Sequence, residues 1–145
     1  MGANIVSCSP SAASADVCWT RPDRVTVLCG TSPWEKELRQ YTTSEPVSPV
    51  SADPDPLPWG LELEDGTKCG LRNGGAWGSA WDDLVPAYCC NEVDALYVSL
   101  AEDAQTIDKS LPTWTVQFGP LDASVAPPRP TTMRVAVAYF AGSPS

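Results

Sequence analysis

The chain has no histidine among its 145 residues. Without imidazole there is no Ser-His-Asp triad, no Cys-His nucleophile pair and no histidine-ligated zinc site. Any side-chain chemistry is left to carboxylates, Cys, Ser, Lys or Tyr. Basic residues are scarce, 9 against 18 acidic ones, giving a formal charge of −9. Such a surface repels a phosphate backbone, which argues against nucleic acid as a partner. No run of about 18 apolar residues occurs, so no membrane-spanning helix is expected. C-x-x-C pairs, G-x-S-x-G, a phosphate-binding glycine loop and a dinucleotide fingerprint are also absent. Calcium prefers six to eight oxygens from an acid-rich loop, whereas "SADPDPLP" (51–58) offers two acids among prolines. No metal and no cofactor are expected.

Proline and glycine, by contrast, are plentiful: 15 and 10 residues beside a hydrophobic fraction of 43%. That profile fits one domain of short elements joined by irregular loops, with a core of ordinary size. We read residues 1–15 as a flexible tail and 16–145 as a single domain. The 6 cysteines stand at Cys8, Cys18, Cys29, Cys69, Cys89 and Cys90. An even number without metal spacing points to as many as three disulfides and an oxidising compartment, although six cysteines allow about 15 pairings. The opening "MGANIVSCSPSAASADV" lacks the charged and apolar regions of a signal peptide. It reads as a start placed on a mature or truncated form. "IVSC" loosely resembles a bacterial lipoprotein box, which would make Cys8 a lipid anchor. A bridge partner or a free tail cysteine is the preferred reading of Cys8.

Turn chemistry marks the elements. "DVCWT" and "RVTVLC" flank Pro22-Asp23 as a hairpin, with Val25, Val27 and Cys29 on one face. Cys18 and Cys29 either bridge that hairpin or reach elsewhere. "SPWEKELRQY" predicts a helix of about ten residues from Ser32 as N-cap, Pro33 at the first position and Glu35 closing a capping box. Trp34, Leu38 and Tyr41 then form one apolar stripe and are expected in the core. Residues 42–58 read as an extended proline-rich loop. "LELEDGTKC" alternates and carries Asp65-Gly66, a strong hairpin signal. "ALYVSL" reads as a strand, and "PTWTVQFG" as another with Trp114, Val116 and Phe118 on one face. "TMRVAVAYFAG" is apolar on both faces, as a central, well-covered strand would be. The expected fold is mainly β: a small antiparallel sandwich or twisted sheet with one short helix, stabilised by disulfides. An α+β arrangement is the alternative.

"LELEDGTKC", "AYCC", "ALYVSL" and "PTWTVQFG" together resemble a pattern in exported proteins of actinobacteria and some other bacteria. There an L-x-L-x-D-G-T-x-C hairpin precedes Y-x-C, a short strand and P-x-W-T. The likeness spans roughly residues 59–119. It implies an extracytoplasmic address, secreted or attached to the envelope, and a small disulfide-bonded β domain; it implies no activity. Carried over residue by residue, it aligns Cys69 with the first cysteine and Cys90 with the second, and implies a Cys69–Cys90 bridge. Cys89 departs from the pattern and is left to pair with the N-terminal region.

Acids cluster at Asp53/Asp55, Glu62/Glu64/Asp65, Asp82/Asp83 and Glu102/Asp103. Two carboxyl groups at a set separation would make a glycosidase, but an acidic surface supplies such groups by chance. "GGAWGSAWDD" (74–83) singles out Trp77, Trp81, Asp82 and Asp83 as candidate binding residues. Exposed, they form a recognition surface apolar at the centre and acidic at the rim. Buried, the rings cover the bridges; burial of at least one ring is the expected case. We therefore expect a non-enzymatic binding or structural module of the bacterial envelope or medium. Its partner is a protein, basic to match the charge, ahead of a cell-wall glycan. A carboxylate-based hydrolase of envelope polysaccharide is the alternative.

Overall fold

The structure, a computed structural model, describes residues 5–7, 17–48, 53–72, 79–91, 93–121 and 127–142. Trp77, Cys8 and most of the tail read at 1–15 lie outside those residues. Among the described residues there are ten strands and no helix, and every strand pair is antiparallel. The first four, β1 (Ile5–Ser7), β2 (Val17–Thr20), β3 (Thr26–Gly30) and β4 (Arg39–Thr42), form a four-stranded sheet in that order. The remainder are β5 (Gly60–Leu63), β6 (Lys68–Leu71), β7 (Leu84–Cys90), β8 (Asp94–Ser99), β9 (Thr115–Pro120) and β10 (Thr131–Tyr139). Each pairs with its neighbour in sequence, and β10 returns to β5, so these strands close into an up-and-down barrel. The mainly β, antiparallel class holds, but the larger sheet is closed where an open sandwich or twisted sheet was expected.

Side-chain alternation builds the barrel's core. Leu61 and Leu63 point inward and Glu62 outward, and Cys69, Tyr88, Cys90, Leu96 and Val116 complete the interior with Ile107 from the β8–β9 connection. Tyr88 is buried on β7, and its hydroxyl donates to Pro58 O at 2.7 Å, which satisfies an otherwise costly group. Burial pushes that phenol well above its ordinary range. The β5–β6 turn is the one Asp65-Gly66 signals. Gly66 N–H donates to Leu63 O, Leu63 N–H to Thr67 O, and Gly66 takes φ +86°, which a side chain would strain.

Two expectations are corrected. The segment from Ser32 forms no helix, although its cap contact does exist: Glu35 N–H donates to Ser32 Oγ at 3.2 Å. The chain then extends into β4, leaving Leu38 55% and Tyr41 48% exposed rather than in a core. Ten residues hold a helix only if packing supports them, and here Pro33 and Trp34 pack on Gly60 instead. A Cβ at Gly60 would lie 2.6 Å from Pro33 Cγ and 2.9 Å from Trp34 Cη2. The second correction concerns β10, which is not a well-covered central strand, since Val137 is 42% exposed. Its register shifts between Val135 and Val137. That bulge changes which parity faces inward, so Met133 and Val135 pack on the core before it and Ala138 after it. Apolar residues on both parities follow from the bulge.

The small sheet sits on the barrel through aromatic rings. Trp19 meets Trp59 edge to face at 5.9 Å, and its Nε1–H donates to Ala141 O at 3.1 Å. Trp34 meets Tyr139 likewise at 5.8 Å. On another side the sheet keeps a separate small cluster of Cys18, Val27 and Cys29, with Val47 packed against it.

Candidate functional site

The site begins where β7 starts and β8 ends. Leu84 pairs with Ser99, and one step further Leu100 N–H donates to Asp83 O at 2.9 Å. This backbone bond extends the β7–β8 ladder by one pair, from the segment before β7 to the one after β8. Trp81 is half-buried there; its N–H donates to Ser79 Oγ at 3.2 Å, and its ring stands edge-on to Tyr97 at 5.1 Å. Leu96 faces the core, so Tyr97 faces outward by alternation, yet it is only 1% exposed. Trp81 thus covers the outer wall of β8. The Tyr97 hydroxyl donates to Pro120 O at 2.7 Å, and burial, then the negative Asp94, push its pKa up.

Four acids stand in the segments before β7 and after β8. Asp82 is exposed. Asp83 accepts a two-pronged pair from Arg129 at 3.2 and 2.7 Å, which holds its carboxyl below the usual range and raises the guanidinium. Both partners are more than half exposed, so the pair orients the loop more than it stabilises the fold. Beyond Leu100, itself 60% exposed, come Glu102 and Asp103, both exposed, with Asp103 at φ 66° in a turn closed by Ala104 N–H to Ala101 O. The geometry at this end of β7 is therefore the Trp81 ring on Tyr97, with the exposed Asp82 next in the chain and Asp83 held by Arg129. Of the sequence-derived residues, Trp81, Asp82 and Asp83 are consecutive in the chain, the ring half-buried and both acids exposed, while Trp77 lies outside the described residues.

The other acids make separate contacts. Asp55 pairs with Lys109 at 2.8 Å, whose ammonium also lies 5.0 Å from the Trp114 ring centre. Glu62 accepts from the Tyr139 hydroxyl at 3.2 Å, and Glu64 from Arg134 N–H at 3.4 Å. Among the described residues no polar or charged residue is buried, and no three His, Cys, Asp or Glu side chains gather as a metal site. A shallow groove of about 810 Å³ runs along β9 and β10 between Glu64, Leu111, Thr115 and Arg134, sharing no residue with the Trp81 surface.

Two bridges form, each between directly opposed strand residues: Cys18–Cys29 across β2–β3 and Cys69–Cys90 across β6–β7. Intramolecular disulfides of this kind are typical of extracytoplasmic proteins. Among the described residues Cys89 is a free, half-buried thiol; Cys18 is taken by Cys29, and Cys8, the other N-terminal cysteine, lies outside them. Neighbouring β7 side chains point to opposite faces, and Cys89 points away from the core that holds Cys90. Burial pushes the Cys89 thiol up. Among the described residues no helix is long and apolar enough to cross a membrane. Comparison with protein-family models, curated proteins and solved structures finds no match.

Proposed function

We propose that the chain is a non-enzymatic binding module of the bacterial envelope or its medium, exported and disulfide-bonded, and that it takes a basic protein surface as its partner. The observation that carries this reading is the Trp81 ring, half-buried and edge-on to Tyr97 on the wall of a closed barrel, with the exposed Asp82 and Asp83 next to it in the chain. An apolar centre with a polar rim is the anatomy of a protein interface, and an aromatic ring already held against Tyr97 loses little freedom on binding. The rim charge attracts lysine and arginine and speeds encounter with a cationic patch.

A glycosidase acid must keep its proton near neutral pH. Among the described residues the carboxyl groups displaced from their ordinary range, Asp23, Asp65, Asp83 and Asp108, are all displaced downward. The test is selection from a peptide library displayed on phage, with the oxidised chain immobilised. Selected peptides should place Lys or Arg beside an apolar residue. Their affinity should fall about tenfold or more for Trp81→Ala, and fall again as salt rises. Peptides indifferent to that substitution, or release of reducing sugar from cell-wall glycan, would overturn the reading.

A further inference from the structure

The closed barrel leaves no strand edge free, whereas the four-stranded sheet ends in β4, which among the described residues pairs only with β3. All four β4 residues are exposed. Register shows which backbone groups point away. Thr43 N–H donates to Val25 O at 2.8 Å, and Tyr41 and Arg39 lie opposite Val27 and Cys29. Antiparallel bonding alternates, so Tyr41 and Arg39 turn their N–H and C=O toward β3 while Leu38, Gln40 and Thr42 turn theirs outward. No bulge interrupts the β3–β4 pairing and no proline lies between Trp34 and Glu45, so two common protections of an exposed edge are missing.

Charge selects the occupant. The chain carries −9, yet Glu35, Lys36, Glu37 and Arg39 leave the stretch 35–42 neutral. A second copy is repelled by most of this surface and least by this stretch. The stretch is also self-complementary. Antiparallel addition about a two-fold axis at Gln40 sets Gln40 against Gln40, Leu38 against Thr42 and Arg39 of each copy against Tyr41 of the other. Arg39 and Tyr41 then meet as cation and ring. From 37 to 43 no like charges face each other.

We propose that β4 is a homotypic docking edge through which two copies of this chain join antiparallel, merging their small sheets into one. This surface is separate from that of Trp81 and does not depend on it. Four residues make a small interface, so association should be weak, with a Kd on the order of 10 μM to 1 mM. Sedimentation velocity of the oxidised full chain from micromolar to millimolar concentration should show monomer passing into dimer.

Gln40→Pro removes an outward N–H and leaves the β3 ladder intact, since edge strands accept proline on their open side. It should weaken dimerisation at least tenfold with an unchanged far-UV CD spectrum. Arg39→Glu, at an exposed side chain, makes the edge acidic and should do the same should the proline variant fail to fold. Trp81→Ala should leave the dimer unchanged. A wild-type chain that stays monomeric throughout overturns the proposal, as does a dimer that persists in Arg39→Glu and in folded Gln40→Pro.

Discussion

The aspartates of this chain act on its turns. The Asp23 carboxylate accepts from Val25 N–H at 3.0 Å, Thr26 N–H at 2.8 Å and the Thr26 hydroxyl at 2.7 Å, closing the β2–β3 turn. Asp65 accepts from Thr67 N–H and Asp108 from Ser110 N–H, each at 2.9 Å. Bonds to the ionised form lower a carboxyl pKa. Asp23 is lowered first by the Thr26 backbone, Asp65 first by the Thr67 backbone, Asp108 first by the Ser110 side chain, and Asp83 by Arg129. The sign of the linkage follows. Each folded pKa lies below the unfolded value of 3.8, so the stabilisation is present above that value and is lost as pH falls through the folded pKa. Thermal unfolding should show a Tm that drops below about pH 4, and the drop should be smaller in Asp23→Asn, whose amide does not titrate. Superimposable pH profiles for the two chains would show that this turn bond does not form in solution.

Elements show where local signals ended and packing took over. Gly60 lies under Pro33 and Trp34, so Gly60→Ala should destabilise the protein by about 1–3 kcal/mol in urea unfolding. An unchanged midpoint would mean that residues 33 and 34 lift away from β5 without cost. The hairpins around Pro22-Asp23 and Asp65-Gly66 were legible because their turn residues and alternation act within a dozen positions. The helix read from Ser32 was not, because its cap signal is genuine but is used for a single turn; the stripe of Trp34, Leu38 and Tyr41 is divided between a docked ring and an exposed strand. Closure of the barrel was also hidden. It depends on Val135 lying opposite Leu63, a pairing far apart in sequence, and the β10 bulge beside it disguised the inward parity. At the candidate site, Trp81, Asp82 and Asp83 stood out by composition, whereas Tyr97 as the ring that Trp81 covers emerges only in the folded chain.

Taken whole, the molecule has two cores of unequal strength joined by rings. The barrel's cluster holds eight buried residues, the Cys69–Cys90 pair among them, while the sheet holds three, two of them the cysteines of its own bridge. A stretch as short as residues 17–48 rarely folds on hydrophobic burial alone and commonly relies on a cross-link. By loop-closure entropy each bridge contributes about 3 kcal/mol, a comparable gain against very different remaining cores. The double variant Cys18→Ala/Cys29→Ala should therefore lose the small sheet while the barrel persists. Hydrogen exchange should lose protection over 17–48 and keep it over 60–71 and 84–99. Because Trp19 and Trp34 reach the barrel through Trp59 and Tyr139, near-UV CD and tryptophan fluorescence should change with the sheet, at lower denaturant than the far-UV signal. One coincident transition, with 17–48 still protected, would mean that the ring contacts make sheet and barrel a single cooperative unit without the bridge.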